Sequence, residues 1–210
     1  MTRRRAESKA LAKRAFDVSV AGGLLVATAP LQVAVAVAVR TSLGSPVLFR
    51  QVRPGRDGRP FRLAKFRTMR SVEPGHPPAA DVERMTSLGR VLRSTSLDEL
   101  PTLWNVVRGD MSLVGPRPLL MAYLDRYTPE QARRHEMRPG VTGLAQVRGR
   151  NALSWSEKFA ADVEYVYAQT LWLDLRILGA TVLSVVRRQG ISADGEATMP
   201  EFLGAVPTGG

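Results

Sequence analysis

The sequence predicts an α/β chain, mostly helical with a small β-hairpin, a monotopic domain associated with a membrane through an N-terminal helix. Three observations predict it. Val18–Val39 runs 22 residues without a charge, and about 20 apolar residues suffice for a straight helix to cross a bilayer. Two strand-like runs, Val47–Arg53 and Phe61–Met69, flank the turn signal Pro54-Gly55-Arg56-Asp57-Gly58-Arg59-Pro60. Apolar residues then recur at helical spacing, as in Leu171, Leu175, Leu178, Val182 and Val185. The expected organisation is a basic N-terminus with a membrane helix over 1–40, the main domain over 41–190 and a flexible tail over 191–210, rich in Gly, Ala and Pro.

The first segment is basic, with Arg3, Arg4, Arg5, Lys9, Lys13 and Arg14 ahead of the apolar run. That run exceeds the core of a signal peptide, and no small-residue cleavage site precedes Arg40. Pro30, near its middle, removes a helical hydrogen bond and kinks the chain. Arg40, Arg50, Arg53 and Arg56 make the far flank basic too, and positive residues stay on the cytoplasmic side. The expectation is a re-entrant helix broken at Pro30 that leaves by the leaflet it entered. A full span and a buried soluble helix remain open.

The hairpin carries Arg50, Arg53, Lys65 and Arg67, whose plainest reading is a solvated basic surface. Ser71–Asp81 reads as a loop, with Pro74, Gly75, Pro77 and Pro78. Thr86–Arg93 reads as a short helix leading into Leu92–Pro118, the stretch that carries the chemistry. There the adjacent carboxylates Asp98 and Glu99 lie near Arg93, Arg108 and Arg117. Pro101 and the apolar series Leu100, Leu103 and Val107 predict a helix starting just after the carboxylates. Its dipole is expected to lower both carboxyl pKa values. Ionised carboxylates bind a hard divalent cation or attack an electrophile. Ser96-Leu97-Asp98-Glu99 equally fits a capping box, which would need no chemistry at all. Pro116-Arg117-Pro118 is a stiff frame for a guanidinium suited to phosphate.

Pro118 to Glu136 is charged, with Thr128-Pro129-Glu130 as a helix start. Arg138–Arg150 is glycine-rich but matches neither common nucleotide-binding fingerprint. A helical pattern runs from Ser156, with Arg187 and Arg188 at its end and Gly190 as a stop.

The charge is +11, from 30 Lys and Arg against 19 Asp and Glu. That excess calls for an anionic partner: nucleic acid, acidic lipid or a phosphorylated substrate. The absence of cysteine excludes disulfides and thiolate chemistry. With only His76 and His135, a metal is expected on oxygen ligands, hence Mg²⁺ or Mn²⁺. The scarcity of aromatics argues against a single-strand stacking surface.

The segments KRAFD (Lys13–Asp17), FRQVRPG (Phe49–Gly55), KFRTM (Lys65–Met69), LRSTSLDELPTLWNV (Leu92–Val106), GDMSLVGPRPL (Gly109–Leu119) and RPGVTGLAQVRGR (Arg138–Arg150) resemble the bacterial sugar transferase family. These are monotopic phosphoglycosyl transferases that initiate glycan and exopolysaccharide assembly. A weaker likeness runs from Asp162 to Thr181. The resemblance implies transfer of a phosphosugar from a nucleotide diphosphate sugar, usually a UDP-sugar, to polyprenyl (undecaprenyl) phosphate. It implies an Mg²⁺-dependent enzyme on the cytoplasmic face of a bacterial cell membrane, with anionic lipids as neighbours and no nucleic-acid partner. It assigns Asp98 as nucleophile, Glu99 as metal ligand and Arg93 and Arg117 as phosphate-handling groups, with Lys65 and Asp174 as further active-site positions. Two positions depart from the family pattern: Ala29 stands where serine commonly precedes the break proline, leaving Thr28 to replace its hydrogen bond, and Thr102 stands where glutamine follows Pro101. With about 17 residues ahead of the apolar run, the expected type is the minimal one. The competing readings are a membrane-bound phosphate-transfer or hydrolytic enzyme with Asp98 as base, and a non-catalytic basic module that binds membrane or nucleic acid.

Overall fold

The computed structural model describes residues 2–71, 81–149, 152–187 and 201–204. Helix α1 (Thr2–Leu43) leads into the antiparallel hairpin β1 (Leu48–Pro54) and β2 (Pro60–Phe66), paired from Leu48 opposite Phe66 to Pro54 opposite Pro60. The hairpin is where the sequence put it. The expected loop at 71–81 falls almost wholly outside the described residues. Then come α2 (Asp81–Arg84), α3 (Ser87–Ser94), a 3₁₀ turn at Leu97–Glu99 and α4 (Thr102–Arg108).

Strand β3 (Ser112–Val114) follows, then a 3₁₀ stretch at Met121–Arg126 and α5 (Pro129–Ala132), which begins at Thr128 with a complete capping box. Strand β4 (Gly140–Thr142) pairs with β3 in parallel, a pairing the glycine-rich motif does not reveal in sequence. It depends on glycine: a Cβ at Gly140 would lie 2.1 Å from the Gly115 nitrogen. The chain ends in α6 (Leu144–Arg148), α7 (Trp155–Ala168) and α8 (Leu171–Val186). The single helical run expected from Ser156 is thus two helices, divided at Gln169 and Thr170, whose hydroxyl caps α8 at the Leu173 N–H.

Burial along α1 is confined to its two arms. Lys13, Asp17 and Ala21 are buried, and so are Val35 and Val39. Between 22 and 34 every residue is exposed or half-buried. The KRAFD residues anchor the first arm. Lys13 Nζ donates to Asp174 Oδ2 at 2.8 Å and to the Val114 carbonyl at 3.2 Å. Asp17 accepts from Ser112 Oγ and the Leu113 N–H. Arg14 donates to the Val106 and Val107 carbonyls near the C-terminus of α4, where helical carbonyls outnumber N–H donors. At the other arm Arg67 donates to the Leu43 and Ser45 carbonyls.

The expected break at Pro30 is corrected in one respect: α-helical backbone continues through it to Leu43. Pro30 has no N–H to offer the Val26 carbonyl, and side chains bond across the turns on either side of it. Thr28 Oγ1 donates to the Leu24 carbonyl at 2.6 Å and accepts from Gln32 Nε2 at 3.0 Å. Thr28, the residue offered by the sequence in place of a serine at 29, is thus bonded to the backbone one turn back.

The main core gathers Ala21, Leu63, Leu103, Val106, Met111 and Ile177, among others, from α1, β2, α4, β3 and α8. A smaller cluster joins Val35 and Val39 to Phe66 and Leu92. A third, aromatic, holds Tyr123, Phe159 and Phe202 with Tyr127 and Trp155 around them. Phe202 corrects the expectation of a wholly loose tail, because residues 201–204 are docked on the domain. Aromatic side chains bury large areas and one suffices to hold a short segment.

Candidate active site

Asp98 and Glu99 sit in the 3₁₀ turn just before α4. Ser96 takes left-handed backbone, φ 56°, and its side chain makes no cap. The capping-box reading therefore fails, and Glu99 is committed elsewhere. Its Oε1 accepts from Lys65 Nζ at 2.5 Å and from Arg117 Nη2 at 3.0 Å. Both contacts fall on one oxygen, and among the described residues Oε2 accepts no hydrogen bond. The Asp98 carboxylate has no hydrogen-bond or ion-pair partner among the described residues, although it is 9% exposed.

Local structure explains how these groups meet. Along β2, Phe61 and Leu63 pack into the main core and Phe66, on the other face, into the smaller cluster, while Lys65 follows Leu63 on its face and is half-buried towards the turn. Helix α4 is tied to the same strand by buried polar side chains. Asn105 donates to the Arg62 carbonyl and accepts from the Ala64 N–H, while Thr102 Oγ1 donates to the Ala64 carbonyl. Thr102 thus keeps a polar link between α4 and β2. Arg93, in the last turn of α3, donates from Nε to Thr68 Oγ1 at 3.2 Å.

The two carboxylates differ electrostatically. Burial, reinforced by the Glu99 charge, raises Asp98 from 3.8 to about 6, against the pull of Lys65, Arg93 and Arg117. Burial also works to raise Glu99, but Lys65 and Arg117 outweigh it and hold that group at about 2. The expectation that a helix dipole lowers both is corrected for Asp98, because a three-residue turn offers little dipole and desolvation dominates. Burial lowers Lys65, and Glu99 raises Arg117.

Lys65, Glu99 and Arg117 are in direct contact, and Asp98 and Arg93 adjoin them. Asp174 is held apart from them. It is fully buried, bonded to Lys13, to Tyr165 Oη at 2.6 Å and to Gln169 Nε2 at 3.1 Å. Lys13 also donates to the Val114 carbonyl, three residues before Arg117, and the Tyr165 hydroxyl lies 3.0 Å from the same oxygen. Asp174 accordingly supports the strand that leads into the arginine loop. A further residue, Arg53, was legible only as part of a basic hairpin. It stands next to Pro54, which lines one cleft with Arg117, and its buried Nε has no partner.

Among the described residues no three His, Cys, Asp or Glu side chains converge on a metal position. The donor set is the two adjacent carboxylates, with Glu99 Oε2 uncommitted. Mg²⁺ is commonly held by one or two carboxylates, with substrate phosphates and water completing its shell. The residues fit a cation that arrives with a phosphorylated substrate.

The sequence profile described as bacterial sugar transferase matches residues 8–188. The chain belongs to this family. An uncharacterised sugar transferase of Bacillus subtilis (strain 168) is 50% identical over 194 residues, covering 92% of this transferase and 96% of the relative. A UDP-glucose:undecaprenyl-phosphate glucose-1-phosphate transferase of Caulobacter vibrioides is 45% identical over 188 residues, 84% of this chain and 70% of the relative. An undecaprenyl-phosphate galactose phosphotransferase of Salmonella typhimurium is 39% identical over 196 residues, 85% of this chain and 41% of the relative. The transferase therefore resembles proteins named for glucose and for galactose, and its six quoted motifs all lie within the matched region.

Proposed function

We propose that this transferase is an enzyme that moves a phosphosugar from a UDP-sugar to polyprenyl phosphate through an aspartyl phosphosugar intermediate, as the first membrane step of exopolysaccharide assembly. The observation that carries the reading is the uncommitted Asp98 carboxylate beside Glu99, Lys65, Arg93 and Arg117. The names of the relatives support the donor and acceptor classes.

Asp98 attacks the phosphorus that bears the sugar. The bond from that phosphorus to the bridging oxygen breaks, and UMP leaves with the electron pair. An oxygen of the polyprenyl phosphate then attacks the same phosphorus and displaces the Asp98 carboxylate unchanged. Dividing the transfer lets one small site serve a soluble and a lipid substrate in turn. With its pKa at about 6, Asp98 is about nine-tenths ionised at neutral pH. Lys65, Arg93 and Arg117 face negative charge on the phosphoryl oxygens and on the leaving nucleotide. Glu99 orients Lys65 and Arg117 through Oε1. Its free Oε2, with Asp98 adjacent, would hold Mg²⁺, which neutralises the diphosphate when bound.

The site is proposed to work at the cytoplasmic face of the membrane. Residues 7–43 form a helix long and apolar enough to cross a membrane by length and composition. Support for re-entry comes from the two buried arms of α1 around an unburied middle, where Val26 is 78% and Val33 64% exposed. Exposed apolar side chains need cover, and lipid supplies it. Trp104 and Trp172, also exposed, are of the type that settles at headgroup level.

A second reading rests on the raised Asp98 pKa, which suits a general base activating water. Incubation of the protein with a UDP-sugar alone separates the two. The double displacement requires early UMP release and a phosphosugar adduct on the Asp98 peptide by mass spectrometry. Neither should appear in a ternary mechanism, and a hydrolase would release free sugar phosphate.

A further inference from the structure

We propose that the C-terminal segment Glu201–Gly204 is a strap that positions Arg117, with Phe202 as its anchor and Arg126 as its clasp; this rests on the transferase reading, in which Arg117 faces the donor phosphates. Phe202 is 5% exposed, whereas its neighbour Leu203 is 81% exposed, so the segment buries one chosen side chain. The ring sits in an aromatic cage. Phe159 meets it edge-on at 4.9 Å between centroids, Tyr123 at 5.6 Å, and Tyr127 stacks at 5.8 Å.

The backbone of the strap is held as well. The Phe202 N–H donates to Tyr123 Oη at 3.2 Å, and its carbonyl accepts from Arg126 Nη1 at 2.5 Å. Arg126 also pairs with Glu201 at 2.7 Å. A loose terminus would make none of these contacts, since ordering it costs backbone entropy that specific contacts must offset.

The cage leads to the active site through Arg134. Arg134 is 2% exposed and paired with Asp162 at 2.7 Å. Its guanidinium lies over Tyr127 and Phe159, at 5.7 and 5.6 Å, and donates to Tyr127 Oη at 3.2 Å. Its Nη2 then donates to the Arg117 carbonyl at 2.7 Å. Of the three side chains that fix Arg134, two touch Phe202. Pro116 and Pro118 stiffen the backbone on either side of Arg117. A carbonyl held by Arg134 therefore aims a guanidinium that is itself half-exposed and reaches Glu99 at 3.0 Å.

The strap is a positioning element, and full-length chains test it. Phe202→Ala should raise the KM for the UDP-sugar and leave the KM for polyprenyl phosphate unchanged. The expected rise is about tenfold, within the range coupled neighbours show. In an Arg117→Lys background the same change should have little further effect, because its target is already altered. Hydrogen exchange at the Gly115 and Arg117 amides, the two N–H groups of residues 115–118, should accelerate in Phe202→Ala without any substrate present. Phe202→Leu and Arg126→Gln serve if the alanine variant does not fold. Unchanged exchange at Gly115 and Arg117 overturns the strap whatever the kinetics. So does a wild-type donor KM, or an equal loss in both Arg117 backgrounds, which would mark Phe202 as a stability residue alone. If the unaltered protein forms no lipid product while exchange responds as expected, the transferase reading fails and the strap stands as the anchor of that loop.

Discussion

Replacing Asp98 by Asn tests the electrostatics of the site and its chemistry in one variant. The folded protein raises this carboxyl from 3.8 to about 6. At 1.36 kcal/mol per pH unit, keeping it ionised costs the fold about 3 kcal/mol. The folded state holds the proton more tightly than the unfolded state. The cost is therefore absent below about pH 4, grows between about 4 and 6, and is complete above that. Asparagine has nearly the same shape and no charge to desolvate. Asp98→Asn should be more stable than the unaltered protein at about pH 8, by about 3 kcal/mol, with the gap closing towards pH 4. Denaturant titrations at the two pH values, in detergent, measure both midpoint and slope. Transferase activity of the same variant should fall to background, since an amide cannot serve as the attacking anion. Equal or lower stability at about pH 8, or a gap that does not close with acid, would refute the electrostatic argument. Retained turnover would remove Asp98 as nucleophile.

Three other outcomes are expected. Chelator should abolish turnover, and Mg²⁺ or Mn²⁺ should restore it; full activity in excess chelator would take Glu99 out of the metal-binding role. Asp174→Ala removes the nearer carboxylate of Lys13, leaving it Asp17 at 3.9 Å and the Val114 carbonyl, and should cost about 3 kcal/mol by denaturant or thermal melts; an unchanged melt would mean that Asp17 and the Val114 carbonyl suffice for Lys13. Gly89→Ala would bring a Cβ to 1.9 Å from the Thr68 carbonyl, so α3 must shift and Arg93 must lose its bond to Thr68. A loss of about 1–3 kcal/mol is expected, and a melt like that of the unaltered protein would deny the close approach.

Local patterns in the sequence determined the hairpin, the short helix of 87–94, the helix start at Thr128 and the apolar character of α1. Each follows from turn chemistry, capping or periodicity within a dozen residues. The motif segments sufficed to name the family, and they point to Asp98, Glu99, Lys65, Arg93 and Arg117. Tertiary structure alone decided which of those residues touch. Lys65 and Arg117 come from a strand and a loop 52 positions apart in the chain, yet both meet a single Glu99 oxygen. That meeting ionises Glu99 firmly and leaves burial to raise Asp98, which for Asp98 is the reverse of what a local helix dipole suggested. The family resemblance points to Asp174 as an active-site position, and in the structure its buried carboxylate pairs with Lys13, 161 residues away. The parallel pairing of β3 with β4 and the docking of Phe202 on Tyr123 and Tyr127 are likewise long-range contacts. No period or propensity encodes a partner at that separation, because the contact is made by the packing of the whole chain and not by the segment that carries the residue.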